Sequence, residues 1–346
     1  MKPRPSTSFC PGPIMSKRAD LSLLQTPVGS TAQELFPRPS WIKRFCQAAA
    51  AFAPAARRTG PELPSFFVIG PPRTGSSWLH EVLQGRVVLP TPTKETRFFD
   101  IHFHRGIKWY RAHFPHCRER LEVGEVAPTY FASTQAREHI ARVIPKARVV
   151  CVFRNPVERL LSLYRLKRAY GMIPWNLEQA ISLDPELLES SRYATHLRAW
   201  QQALGTDQVL PTVYDDLCDQ PQSFVDTLAD FIGVGRFALT PSQMQYVFAS
   251  ESMTLPRSYY CTHRATAMAE WLKGRRLDGV VTTVKRSPFI KLFLGGGVPF
   301  LDLPREASAS LYECLRAEVD ALETLLNRDL SPWKAPRAQR STMAAD

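Results

Sequence analysis

Short apolar runs alternate with segments of helical periodicity through the middle of the chain. Residues 66–70 and 147–153 are predominantly apolar runs of strand length, which is typical of buried strands. Each is followed by a segment with helical character, over about 75–83 and 156–170. Because strands that alternate with helices form parallel sheets, this pattern predicts an α/β fold.

The second half of the chain extends the same pattern. A third strand is predicted over residues 208–214, and Pro211 makes it an edge or bulged strand because proline cannot donate a ladder hydrogen bond. Helices are predicted over 224–232 and 311–326. The predicted architecture is a single α/β domain, a P-loop-like open parallel sheet with helices on both faces.

The two ends of the chain differ from this domain. Residues 1–60 are rich in Pro, Ser, Ala and Arg, which predicts a mostly disordered arm, and 334–346 are predicted to be a disordered tail. The domain is therefore expected over 61–333. Within the arm, residues 41–56 place aromatic side chains beside Lys and Arg. This segment is expected to be an amphipathic helix that packs on the domain or contacts a membrane peripherally.

Most of the formal net charge of +12 lies in these ends. Residues 1–60 carry a net charge of +7 and residues 332–346 carry +2, which leaves +3 for the body between them. A near-neutral body argues against nucleic acid as a partner, since nucleic-acid grooves are strongly basic. It suits a pocket for one anionic ligand.

Other features of the composition narrow the class further. No apolar run reaches the roughly 18 residues of a transmembrane helix, and the N-terminus lacks the pattern of a signal peptide, so we expect a cytoplasmic protein. The seven cysteines are scattered without a CxxC pair, which favours free thiols over zinc or a disulfide framework. The oligomeric state stays open.

The first candidate site is the strand–loop–helix segment FFVIGPPRTGSSWL at residues 66–79. The first turn of a helix offers unpaired N–H groups and the positive end of the helix dipole, which together bind anions. Gly75 lets the backbone approach a phosphate, and Arg73 adds a positive charge. The loop is not a Walker A motif because the GK[ST] ending is absent. Trp78 is either a core residue or part of the pocket wall. The candidate cofactor-binding residues here are Arg73, Thr74, Gly75, Ser76, Ser77 and Trp78.

A second basic residue and hydroxyl follow the strand at 147–153. Arg154 lies at its carboxyl end, and Ser162 lies about two helical turns further along. Ligands of open α/β sheets bind at the carboxyl ends of strands, so this pair suits a second phosphate. The alternative for Arg154 is an ordinary capping or ion-pair residue.

These two segments resemble the phosphate-binding motifs of sulfotransferases that use 3′-phosphoadenosine 5′-phosphosulfate (PAPS). PRTGSSWL is similar to the family's 5′-phosphosulfate loop, with Arg73 in place of the usual Lys, and RNPVERLLSLYR is similar to its 3′-phosphate motif. Residues 94–115, 123–131 and 191–200 resemble the carbohydrate branch, especially heparan-sulfate-type enzymes and bacterial relatives. The resemblance implies PAPS as co-substrate, no metal, and a hydroxyl or amine acceptor on a carbohydrate or glycoconjugate. Val126 departs from the family, which often has Lys there.

The resemblance also implies catalytic roles. Glu95 stands where heparan-type enzymes keep the carboxylate that takes the acceptor proton, and Arg73 suits the cation that stabilises the departing phosphate. Glu95 also suits a surface ion pair with Lys94 or Arg97. If the chain instead resembles the phenol and steroid branch, the candidate bases are His80, His102 and His104.

Three other functions stay open from the sequence. A P-loop-type nucleotide kinase is disfavoured because the GK[ST] ending and an acidic Mg²⁺ residue after a buried strand are missing. The other two are a sulfotransferase of a small phenolic or lipid metabolite, and an inactive binding protein on the same fold.

Overall fold

The computed structural model describes residues 63–115, 121–245, 254–274, 297–298, 300 and 305–335. The predicted arm with its amphipathic segment 41–56 lies outside the described residues, as does the tail beyond residue 335. The domain boundaries therefore stay predictions. Lys334, the first residue of the predicted tail, pairs with Asp320 at 2.8 Å and also with Glu323.

The described part of the chain contains one sheet of four parallel strands. These are β1 (Phe66–Gly70), β2 (Gly124–Val126), β3 (Arg148–Phe153) and β4 (Val209–Val213), in the order β2-β1-β3-β4. The predicted open parallel sheet is confirmed. Since the strand order reverses between β1 and β3, the carboxyl ends of these two strands form the crevice where such folds bind ligands.

Three of the four strands follow the sequence prediction. β4 lies at the edge of the sheet, where Pro211 pairs with Cys151 of β3. This agrees with the expectation that Pro211 belongs to an edge strand. β2 was not predicted, because its three residues include Gly124 and Glu125, two residue types that are depleted in strands.

Helices cover both faces of this sheet. The predicted helices after β1 and β3 and near the C-terminus are present, although the last begins at residue 305 rather than 311. Asn155 caps the helix after β3 by accepting hydrogen bonds from the N–H groups of Val157 and Glu158. The helices are α1 (Ser76–Leu83), α2 (Gly106–Arg111), α3 (Thr134–Val143), α4 (Pro156–Ala169), α5 (Leu177–Leu183), α6 (Glu186–Glu189), α7 (Tyr193–Leu204), α8 (Tyr214–Asp219), α9 (Pro221–Ile232), α10 (Pro241–Gln245), α11 (Tyr259–Gly274) and α12 (Arg305–Leu326).

Alternate strand residues build two cores. Phe67 and Val149 face a core shared with α3, α7 and α12, whereas Val68 and Val150 face a core shared with α1, α8 and α9. All four side chains are fully buried. Burial on both faces explains why the strands are continuous apolar runs rather than alternating ones. None of the described helices is long and apolar enough to cross a membrane.

Gly70 ends β1 and directs the chain into the loop before α1. Its φ is +83°, and a Cβ atom there would lie 2.7 Å from Pro128 Cβ. We expect Gly70→Ala to lower the free energy of unfolding by about 1–3 kcal/mol, because strain and overpacking add. Gly85→Ala is a matched control, since Gly85 has φ +74° but a Cβ atom added there would meet no atom within 4 Å. Urea unfolding of both variants should show the larger loss for Gly70→Ala; equal losses would contradict the packing argument.

Candidate active site

The loop between β1 and α1 has a backbone that few side chains tolerate. Gly75, the N-cap of α1, has φ +85°, and a Cβ atom there would lie 3.2 Å from Tyr214. Arg73 also has a positive φ, 75°. The Thr74 hydroxyl is buried and donates to the Pro71 carbonyl at 2.7 Å, so this side chain stabilises the loop itself. What Thr74 can offer an anion is therefore its main chain.

The two predicted phosphate segments meet at the crevice. Arg73 Nε donates to Ser162 Oγ at 2.9 Å, which joins the β1 loop to α4. Burial lowers the pKa of the Arg73 guanidinium, and the positive charge of Arg154 lowers it further. Two guanidinium groups that repel each other in a partly buried site stabilise an anion bound between them.

Arg154 makes the ion pair that the sequence left as the alternative to a phosphate contact, and it also contacts an aromatic ring that was not predicted. It pairs with Glu158 at 3.2 Å, and its guanidinium lies over the Tyr214 ring, 5.1 Å from the ring centre. Its Nε is buried and has no hydrogen-bond partner among the residues that the structure describes. The ion pair and the ring hold the guanidinium plane in place, and the unpartnered Nε leaves capacity for a ligand.

Residues 94–97 bring a carboxylate to the same loop. Lys94 Nζ donates to Ser76 Oγ at 3.3 Å and lies 3.5 Å from Glu95 Oε1. The side chains of Lys94 and Glu95 are only 26% and 27% exposed. Burial raises the pKa of Glu95, and the charges of Lys94 and Arg97 oppose this shift. The ion pair expected for a surface glutamate therefore exists, but it lies half-buried beside the phosphate loop.

The remaining residues of the loop differ in what they can contact. Ser76 is buried against Lys94, whereas Ser77 is exposed. Trp78 is 5% exposed, packs in the core with α9, and donates its indole N–H to the Gln243 carbonyl at 2.8 Å. The structure therefore favours the core role for the Trp78 side chain over the pocket wall.

The three candidate histidine bases lie in two places. His80 is on α1, and its pKa is lowered by burial and by the charge of Lys94, both of which favour the neutral imidazole. His102 ends the π-helical turn Phe98–His102 and His104 lies in the 3₁₀ turn that follows it, with their ring centres 6.2 Å apart. Partial burial and Arg105 lower the pKa of His102. No group of three metal-ligating side chains occurs within the described ranges.

Glu125 on β2 is a charged residue of this region that the sequence reasoning did not single out. It is fully buried and accepts hydrogen bonds from Thr96 N at 2.7 Å, Thr96 Oγ1 at 2.8 Å and Tyr110 OH at 2.8 Å. Burial raises its pKa to about 7, while the hydrogen bonds oppose the shift. The available signal was an acidic residue within the otherwise apolar GEVA segment.

Comparison with known proteins identifies the family. The family model described as "Sulfotransferase domain" matches residues 63–275. Bifunctional heparan sulfate N-deacetylase/N-sulfotransferase 2 of Bos taurus is 27% identical over 242 residues, covering 62% of this chain and 27% of the relative. The corresponding enzyme 1 of Mus musculus is 28% identical over 200 residues, covering 51% and 23%. The chain thus spans about a quarter of the length of these curated relatives.

A solved structure supports the fold. The sulfotransferase from Alicyclobacillus acidocaldarius superposes with a TM-score of 0.56 over 79% of this chain and 99% of that one, at 18% identity. The resemblance inferred from the two phosphate motifs is confirmed by these matches. Since the family model matches more than half of the chain and spans the loop, Glu95, Arg154 and Ser162, the chain belongs to the sulfotransferase domain family and is a transferase of that class.

Proposed function

We propose that this site moves a sulfuryl group from PAPS to a hydroxyl or amine of an acceptor, with Glu95 as the base. The observation that carries the proposal is the 2.9 Å contact between Arg73 and Ser162, since it joins two predicted phosphate segments that lie far apart in the sequence. One ligand with two anionic groups accounts for both segments.

The residues present fit PAPS. The loop at 72–77 offers main-chain N–H groups and Arg73 to one anionic end, and Arg154 with Ser162 suits the other. The repulsion between Arg73 and Arg154 and the unpartnered Arg154 Nε are both relieved by an anion. When bound, PAPS supplies a sulfuryl group activated by its anhydride link to a phosphate.

The chemistry then needs two groups of this chain. As the acceptor's bond to sulfur forms and the sulfur–oxygen bond to the phosphate breaks, Glu95 takes the proton of the acceptor. Arg73 stabilises the negative charge left on the phosphate. Lys94, between Ser76 and Glu95, keeps the carboxylate at the loop.

The proposed acceptor is a carbohydrate or glycoconjugate. Support comes from the curated relatives, whose names specify heparan sulfate, and from the segment at 94–100 that resembles their branch. The test is incubation with labelled PAPS and a panel of desulfated heparan, chondroitin and 4-nitrophenol. We expect label in a polysaccharide; label in 4-nitrophenol alone would move the acceptor to the phenol class.

Calorimetry should show tighter binding of the product nucleotide PAP than of Mg²⁺–ATP, and the reverse order would favour a kinase.

We expect Arg154→Ala to weaken PAP binding more than Ser162→Ala does. A charge-assisted hydrogen bond to phosphate contributes about 1.5–3 kcal/mol, which is a factor of about 10–150 in Kd, whereas a neutral one contributes about 1 kcal/mol. Lys167→Ala is the control, since Lys167 lies on the same helix and pairs with Asp184 at 2.6 Å. Isothermal titration with PAP measures all three variants. Unchanged PAP affinity in Arg154→Ala would contradict the assignment of Arg154 and Ser162 to a second phosphate.

A further inference from the structure

Glu125 is a buried carboxylate that the proposed chemistry does not use. We propose that Glu125 is a positioning residue, whose carboxylate anchors the backbone of residues 96–99 and so holds Glu95 at the phosphate loop. This inference rests on the proposed function, in which Glu95 is the base. The first observation that supports it is the pair of hydrogen bonds between Thr96 and Glu125.

Thr96 joins Glu95 directly to this anchor. The peptide N–H of Thr96, which immediately follows Glu95, donates to Glu125 Oε1 at 2.7 Å, and the Thr96 hydroxyl donates to the same oxygen at 2.8 Å. Thr96 is 3% exposed. Glu95 therefore lies between two fixed points, because Lys94 on its other side donates to Ser76 Oγ on α1.

The hydroxyls around Glu125 extend the anchor to two amides further along the segment, those of Phe98 and Phe99. Phe98 N donates to Thr96 Oγ1 at 3.2 Å, and Phe99 N donates to Tyr130 OH at 3.4 Å. Tyr130 OH lies 3.4 Å from both oxygens of Glu125. Each of these hydroxyls accepts a hydrogen bond from a backbone N–H and donates one to the Glu125 carboxylate.

This stretch of backbone needs such an anchor because it is irregular. Arg97 has φ 52°, and residues 98–102 form a single π-helical turn. The N–H groups at the start of a helical turn have no partner within it, and buried amides without partners are costly. Glu125 meets this need from a neighbouring strand.

An ionised carboxylate suits this position because each hydrogen-bond partner that the structure describes for it is a donor. The donors are Tyr110 from α2, Tyr130 from the turn at Pro128–Tyr130, and Thr96. A protonated carboxyl would place a further O–H among them. Burial raises the pKa of Glu125 to about 7, with a smaller contribution from the charge of Glu95, while the hydrogen bonds oppose the shift. The anchor is thus complete above pH 7 and weakens as the pH falls through that value.

The test compares Glu125→Gln with Glu122→Gln. Glu122 lies three residues earlier, is partly exposed, and contacts Arg148 at 3.4 Å instead of the 94–99 segment. We expect Glu125→Gln to lower kcat about 10- to 100-fold at pH 8, since small misplacements of a reacting group cost that much. PAP affinity should change less than about 2-fold, because the phosphate residues are untouched. Glu122→Gln should match the wild type.

Two readouts separate positioning from general destabilisation. Amide exchange should quicken in peptides that cover residues 94–102 of Glu125→Gln and stay unchanged in Glu122→Gln. The ratio of wild-type to Glu125→Gln kcat should be larger at pH 8 than at pH 6, because the wild type loses its own anchor on protonation. A folded Glu125→Gln enzyme with wild-type kcat and wild-type exchange at 94–102 would overturn the proposal.

A second pair of variants covers the case in which Glu125→Gln fails to fold. Thr96→Val removes the hydroxyl that links Phe98 N to Glu125, whereas Tyr110→Phe removes only a terminal donor. Thr96→Val should lower kcat more than Tyr110→Phe does, and equal or reversed effects would overturn the proposal. If Glu95→Gln is inactive but both Glu125→Gln and Thr96→Val are fully active, the anchor is wrong and the base is right. If Glu95→Gln is fully active, Glu95 is not the base, and that part of the proposed function fails instead.

Discussion

Glu95→Gln is expected to lower kcat for sulfuryl transfer by about 10²- to 10⁴-fold while PAP affinity stays nearly unchanged. The acceptor must lose a proton as it bonds to sulfur, and the amide of Gln cannot take it. Glu95 lies half-buried beside the phosphate loop, 3.5 Å from Lys94 Nζ. Initial rates with labelled PAPS give kcat, and isothermal titration with PAP gives the affinity.

The pH profile gives an independent check on Glu95. Burial raises its pKa above the ordinary value, so the ionised base is lost as the pH falls through that raised pKa. Wild-type kcat should decrease at low pH as Glu95 becomes protonated. The residual kcat of Glu95→Gln should not show this decrease. Glu81→Gln, an exposed substitution on α1, is the control and should keep the wild-type profile. Near wild-type turnover in Glu95→Gln would place the base elsewhere, and His80, His102 and His104 would be tested next.

The sequence predicts the parts of this fold that local chemistry determines. β1 and β3 are buried on both faces, so they appear as apolar runs, and Pro211 marks β4 as an edge strand. The loop before α1 is recognisable because Gly75 and the adjacent hydroxyls have a defined use at a helix N-terminus. These features depend on neighbours in sequence, and they were predictable for that reason.

Features that depend on distant contacts were not predictable. β2 is a strand because it pairs with β1, although its own residues disfavour a strand. Glu125 becomes a central acceptor only once α2 and the turn at Pro128–Tyr130 place two tyrosines against it. The placement of Lys94 against Ser76 likewise required the path of the chain between them.

Trp78 is a residue to which the motif allowed a role that its side chain does not have. It lies within the phosphate-loop motif, so the sequence allowed it a role in the pocket. Helical periodicity, however, places its side chain in the core with Val82, and its indole N–H donates to the Gln243 carbonyl. A motif therefore identifies the segment that forms a site, while the helix geometry decides which of its side chains face the ligand.

Arg73→Ala should differ from Glu95→Gln by lowering both PAP affinity and kcat. Loss of a charge-assisted contact weakens binding by about 1.5–3 kcal/mol, and loss of a group that stabilises developing charge lowers kcat by about 10²–10³-fold. The backbone does not confound this comparison, because Ala at φ 75° bears the same steric cost as Arg. Single-turnover rates and isothermal titration separate the two effects. Arg86→Ala, which removes an arginine that lies over Phe237, is the control.

Arg73→Lys distinguishes the charge of Arg73 from its shape. Lys keeps a positive charge for the departing phosphate but lacks the planar N–H group that Arg73 donates to Ser162 at 2.9 Å. We therefore expect Arg73→Lys to recover most of the kcat that Arg73→Ala loses, and less of the affinity. If Arg73→Ala binds PAP weakly but turns over at the wild-type rate, Arg73 only binds the nucleotide, and another cation stabilises the leaving phosphate. Lys94, which reaches the same loop through Ser76, would then be the group to replace.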